Sequence, residues 1–210
     1  MARILCYGDS LTWGHDPDNG ALRHAFDDLW PSVLAGALPG VTVLADGVGG
    51  RTTSFDDHAA PCDRNAVRTL PVALAAHMPL DVVVIMLGTN DLKPKFGGMA
   101  LSAQQGMRRL IELIRGFPYK PARAQPQVLI VAPPLCIGPA EGALDSPVRA
   151  AQSALFAPLY AALAEEMGVA FFDAGTVAQA SSVDGIHLDA ANTRAIGAAL
   201  AEPVRALLNP

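Results

Sequence analysis

The chain has no cluster of lysine or arginine, no apolar run longer than a strand, and no cysteines paired as C-x-x-C. Each absence removes a class of function. Without a basic patch there is no electrostatic footprint for nucleic acid or for an anionic lipid surface. The apolar runs fall well short of the roughly 20 residues a membrane-spanning helix needs, so no membrane partner is expected. Cys6, Cys62 and Cys136 are odd in number and far apart. That pattern fits a reducing compartment and argues against a disulfide framework or a zinc site. The apolar stub before Gly8 is too short for a signal peptide, so the expected location is the cytoplasm. There is no internal repeat, no low-complexity tract and no phosphate loop of the form G-x-x-x-x-G-K-[ST].

What is there is 210 residues, 51% hydrophobic, with a formal net charge of -5. That suffices for one domain over 1–210 with a substantial core. Runs rich in β-branched and aliphatic residues at 4–7, 41–45, 82–87, 128–132 and 169–172 read as strands buried on both faces. Helical periodicity lies at 29–38, 67–77, 101–117, 152–167 and 190–208. The third is clearest, with Met107, Leu110, Ile111 and Ile114 on one face and Gln104, Arg108, Arg109 and Arg115 off it. Pro158 and Pro203 predict a kink or a break in the last two. Strands alternating with helices predict a parallel sheet covered on both faces. Two stretches punctuated by proline and glycine, 14–28 and 133–147, are long enough to be functional loops, at the edge where open α/β sheets bind ligands.

Ser10 stands where the first strand ends, in Gly8-Asp9-Ser10-Leu11. By itself this is a common turn. A serine nucleophile needs a base for its proton and donors for the oxyanion. The elbow G-x-S-x-G is absent, because Thr12 stands at the second glycine position, which argues against an α/β-hydrolase. Asp184 and His187, three residues apart before a helix capped by Asp189, are the base candidates. That spacing lets the carboxylate fold back on Nδ1–H and leave Nε2 free to accept a proton. His15, His24, His58 and His77 have no carboxylate so placed. Gly49-Gly50 after the second strand and Asn90 after the third are candidate oxyanion donors. Leu11, Trp13, Thr89, Lys93 and Ile186 flank these positions and are expected to line an ester pocket. Asp9 is expected only to brace the turn, and Cys6 to pack as a small hydrophobe. Each feature alone has a bland explanation, but together they bring serine, glycine, asparagine and Asp/His to one edge of one sheet.

In that order, Gly8–Leu11, Gly50 before Arg51-Thr52-Thr53, Gly88-Thr89-Asn90-Asp91 and Asp184-Gly185-Ile186-His187 resemble the four blocks of the SGNH (GDSL) hydrolase superfamily. Within it, "RILCYGDSLTWG", "GRTTSFDD", "HMPLDVVVIMLGTND", "VAPP" and "FFDAG" are similar to the bacterial aryl-esterase/acyltransferase branch. The resemblance implies a flavodoxin-like three-layer α/β/α sandwich with a five-stranded parallel sheet. It also implies a serine esterase acting on small or aryl carboxylic esters through an acyl-serine, with transfer to alcohols and with no metal or organic cofactor. It makes Ser10 the nucleophile, His187 the base and Asp184 its orienter, with Ser10, Gly50 and Asn90 as the oxyanion hole. A homo-oligomer is expected by the same likeness. Sister activities are carbohydrate acetylesterase and lysophospholipase or thioesterase; a non-catalytic flavodoxin-like binding module is the alternative of another class. His15 stands in the pocket loop where relatives often carry a larger aromatic, so their acyl or alcohol preference does not carry over.

Overall fold

The computed structural model describes residues 1–19, 22–120, 125–138 and 146–209. The expected apolar runs form five strands: β1 (Arg3–Gly8), β2 (Thr42–Gly47), β3 (Val82–Met86), β4 (Gln127–Ala132) and β5 (Ala170–Asp173). They make one sheet in the order β2-β1-β3-β4-β5, every pair parallel. Gly8 is paired with Gly47 and with Met86, Met86 with Val131, and Val131 with Phe172, so the carboxyl ends of all five strands come level.

Around the sheet run α1 (Ser10–Trp13), α2 (Trp30–Ala37), α3 (Ala66–His77), α4 (Ala100–Gly116), α5 (Ser146–Ser153), α6 (Phe156–Met167) and α7 (Ala190–Leu208). Alternate strand residues serve opposite faces. Leu5, Tyr7, Val83, Ile85 and Ile130 pack under α3, α4 and α6, while Ile4, Cys6, Val82, Val84, Leu129 and Val131 pack under α2 and α7. The apolar face expected of α4 is wholly buried at Met107, Leu110, Ile111 and Ile114. Burying each such aliphatic side chain stabilises the fold by about 1.5–3 kcal/mol.

The prolines behave differently from one another. Pro158 lies in the first turn of α6, where no N–H has an intrahelical partner. It cannot donate to the carbonyl of Ala154, and the helix expected over 152–167 is split there, Gln152 belonging to α5 and α6 starting at Phe156. Pro203 makes no break, because α7 runs on to Leu208. Burial of Ile196, Leu200 and Val204 on both sides of it holds the helix on the sheet.

The chain leaves β1 for β2 on one side and later enters β3 on the other, so the loops after β1 and β3 diverge over a crevice. Of the two expected functional loops, residues 20–21 and 139–145 lie outside the described residues. Among the described residues, no helix is long and apolar enough to cross a membrane.

Candidate active site

At Gly8 the chain turns directly from β1 into the single turn of α1. The Asp9 carboxylate caps that turn, accepting the N–H of Leu11 at 2.9 Å. The approach is too close for any side chain at two glycines. A Cβ on Gly8 would stand 2.0 Å from Thr12 Oγ1, and one on Gly47 2.3 Å from the Trp13 nitrogen. The tight turn sets Ser10 at the rim of the crevice.

The loop before α7 brings the second half of the site. Asp184 Oδ1 accepts the N–H groups of Ile186 and His187, both at 2.9 Å. Its Oδ2 lies 2.6 Å from His187 Nδ1, and His187 Nε2 lies 2.9 Å from Ser10 Oγ, 177 positions away in sequence. With the carboxylate taking Nδ1–H, Nε2 presents its lone pair to the serine hydroxyl. Burial pushes the Asp184 carboxyl up, but the hydrogen bonds from the His187 ring and the two backbone N–H groups outweigh it and hold the group at about 2. Asp184 is therefore ionised throughout the neutral range.

His15 stacks on His187, ring centroids 3.9 Å apart and planes 34° from parallel. Burial, then the charge of His187, holds the His15 pKa below the usual histidine value. The ligand atoms of His15, Asp184 and His187 lie within 4.8 Å of one another, the one grouping of this kind among the described residues. Ring lone pairs lie in the ring planes, so stacked rings do not aim theirs at a common point. Both His187 nitrogens are also engaged already, and the set suits proton transfer better than metal binding.

Opposite the histidines, the backbone N–H groups of Ser10 and Gly50 find no acceptor among the described residues. Gly50 has φ +82°, a conformation that favours glycine, and a Cβ there would also displace the Arg64 guanidinium, 2.7 Å away. Arg51 fixes this segment. Buried over the Tyr7 ring at 4.0 Å, it donates to the carbonyls of Gly8 (2.8 Å) and Asp46 (2.7 Å) and pairs with the Asp46 carboxylate, tying the ends of β1 and β2 together. Asn90 lies in the short 3-10 turn Thr89–Leu92 after β3. Its amide nitrogen donates to Asp9 Oδ2 at 3.0 Å and to the Arg51 carbonyl at 3.1 Å. Asp9 thus braces the serine turn, as expected, and also holds Asn90, 81 positions away.

Two buried carboxyls underlie the crevice. Burial pushes Asp9 up to about 6 against the Leu11 N–H, the charges of His187 and Arg51, and the Asn90 amide. Burial likewise pushes Asp91 up to about 7 against the Thr53 hydroxyl and N–H, and the Asp9 charge pushes in the same direction. At these two positions the folded chain therefore binds more protons than the unfolded one from about pH 4 to 7. The stability these groups contribute is complete below pH 4 and is lost as pH rises through 6 and then 7. Asp91→Asn is expected to flatten the decline of Tm above pH 6 while the Asp9 portion below it persists. A variant with the wild-type decline above pH 6 would show that Asp91 ionises normally.

Ser10, Gly50, Asn90 and His187 together line a cavity of about 260 Å³. Of the residues expected to line an ester pocket, His15, Thr89, Lys93 and Ile186 line this cavity. Leu11 and Trp13 do not. Only the first residue of α1 faces the cavity, and the next positions turn toward the sheet and the 14–28 loop. Leu11 is 4% exposed in the core beneath α2 and α7, and Trp13 lies under the Arg23 guanidinium, 5.5 Å away. Cys6 is buried in β1, where burial pushes its thiol well up, consistent with packing rather than chemistry. Arg64 and Arg149 line the cavity without any local sequence signal. Arg64 reaches it because Thr52 and Asn65 form a bridge, with the Thr52 N–H donating to the Arg64 carbonyl at 2.9 Å, which closes the intervening loop on itself.

Residues 6–195 match the model of the GDSL-like lipase/acylhydrolase family. No curated protein matches the chain. Among solved structures, a carbohydrate acetylesterase family member from Sinorhizobium meliloti is 48% identical, each chain covered in full, with a TM-score of 0.97. A candidate arylesterase from Agrobacterium tumefaciens is 55% identical over 99% of this chain and 100% of that one, TM-score 0.95. The aryl esterase of M. smegmatis is 41% identical with the same coverage, TM-score 0.90.

Proposed function

The chain belongs to the GDSL-like lipase/acylhydrolase family, and we propose that Ser10 is the nucleophile with which it hydrolyses carboxylic esters. The enzyme is a carboxylic ester hydrolase, as its aryl esterase and carbohydrate acetylesterase relatives indicate. The observation that carries the assignment of residues is the continuous chain of short contacts from Asp184 through His187 to the Ser10 hydroxyl. His187 Nε2 takes the hydroxyl proton as Ser10 Oγ bonds to the ester carbonyl carbon. The charge passing to the carbonyl oxygen is met by the N–H groups of Ser10 and Gly50, and by the Asn90 amide as it yields its longer bond, to Arg51. Collapse of this intermediate breaks the ester C–O bond, and His187 returns the proton to the departing alcohol. Water then attacks acyl-Ser10 by the same route, or a second alcohol does, giving transfer.

A cavity of about 260 Å³ with several polar walls suits a short acyl group on a small alcohol or phenol. Acetylated sugars are the second reading, favoured by the 48% identical acetylesterase relative. A fluorophosphonate followed by peptide mapping tests the nucleophile. The label is expected on Ser10; a label on Cys6 or on another serine would overturn the assignment.

Asn90→Ala is expected to lower kcat by about 10²–10³ with little change in KM, because an oxyanion donor acts mainly in the transition state. Asn90→Asp is expected to do at least as much harm, since it sets a carboxylate beside Asp9 and the developing negative charge. An active, stable Asn90→Asp enzyme would leave Asn90 with a purely structural part.

A further inference from the structure

The catalytic cavity is cationic in a protein whose net charge is -5. Arg64, Lys93 and Arg149 line it, and no carboxylate among the described residues does. Lys93 is half-buried, and its ammonium has neither hydrogen bond nor ion pair among the described residues. Burial first, then the charges of Arg64 and Lys95, lowers its pKa from the ordinary lysine value. Withdrawing a cation from water without a counter-charge is unfavourable, and an anion arriving with a ligand removes the penalty.

Arg64 supplies the matching geometry. Its Nη1 is held by Asp57 at 3.2 Å, while its Nε is buried without a partner and its Nη2 makes no bond among the described residues. The N–H groups of Nη2 are thereby left as charge-assisted donors for a carboxylate oxygen, with Lys93 the second cation of the lining. Asp57 does not offset the excess, because Lys95 shares it at 2.8 Å and it lies outside the cavity lining.

We propose that this cavity selects esters that themselves carry a carboxylate, bound by Arg64 and Lys93 while Ser10 attacks the ester carbonyl. The inference rests on the esterase reading above. It deepens that reading by naming the substrate class. The carboxylate contact is remote from the reacting carbon and is made equally before and during reaction, so it acts on KM more than on kcat.

Two matched pairs of esters test it. For a charge on the alcohol side, 3-acetoxybenzoate is compared with 3-acetoxybenzamide. For a charge on the acyl side, the mono-4-nitrophenyl ester of adipic acid is compared with its terminal amide. At low ionic strength at least one acid is expected to exceed its amide in kcat/KM by about tenfold or more, the gap shrinking as salt shortens the Debye length. The pair that shows the gap identifies the side on which the charge is read. Arg64→Gln and Lys93→Gln are each expected to bring the acid-to-amide ratio toward one. The ratio within each variant is the readout, because a general loss of activity moves both members alike. Acids no better than their amides in the wild type, or a ratio that neither substitution changes, would overturn the proposal. So would an Arg64→Gln enzyme with kcat lowered equally for acid and amide, which would place the guanidinium on the oxyanion instead. Hydrolysis of the neutral esters with no preference for the acids would leave the esterase assignment standing, whereas no hydrolysis of any of the four would overturn both.

Discussion

Ser10→Ala is expected to lower kcat by about 10⁶-fold and to leave the melting temperature near the wild-type value. The size is that seen when a serine hydrolase loses its nucleophile or base, the remainder coming from oxyanion donors and binding. The fold survives because the Ser10 hydroxyl contacts His187 Nε2 and nothing that shapes the turn. The cap from Asp9 to Leu11 and the backbone bond from Gly14 N–H to the Ser10 carbonyl remain, and alanine suits the first turn of a helix. Activity above about one part in a hundred of wild type would mean that another group attacks the ester.

Asp184→Asn is expected to lower kcat by about 10⁴, and to add almost nothing when His187 is already alanine. The asparagine keeps a carbonyl oxygen for the Ile186 and His187 N–H groups, so the loop holds. It also turns an NH₂ toward His187 Nδ1, which favours the tautomer that has its proton on Nε2 and cannot accept one from Ser10. His187→Ala alone is expected to match Ser10→Ala. Asp184 does not line the cavity, so its effect on the reaction is expected to pass through the imidazole it contacts. Residues serving one task give strongly non-additive losses. Losses that multiply in the double variant would show that Asp184 has work of its own, and a matching fall in melting temperature would show that its part is structural.

The sheet was legible because its five strands are runs of aliphatic residues buried on both faces, Val82–Met86 most plainly. Their carboxyl ends come level in the register, which is why Ser10, Gly50, Asn90 and the Asp184–His187 loop meet, as their positions at strand ends implied. What the sequence concealed depends on contacts between distant positions. Nothing near Arg51 tells that its guanidinium joins two strand ends while its carbonyl receives Asn90. Nothing near Arg64 tells that a bridge between Thr52 and Asn65 will carry it to the cavity. Leu11 and Trp13 misled by adjacency, since neighbours of a nucleophile on a helical turn point in other directions. Pro203 misled because local propensity yields to packing, here the burial of α7 on the sheet.

The central claim is that ester cleavage passes through an acyl group on Ser10. Rapid mixing with 4-nitrophenyl acetate, acid quenching within the first turnover and mass analysis of the peptides tests it most directly. The account predicts a burst of one 4-nitrophenol per active chain, with one acetyl group on the peptide that carries Ser10, and neither in Ser10→Ala. Linear release with no acetylated peptide, or an acetyl group on a different residue that persists in Ser10→Ala, would contradict it.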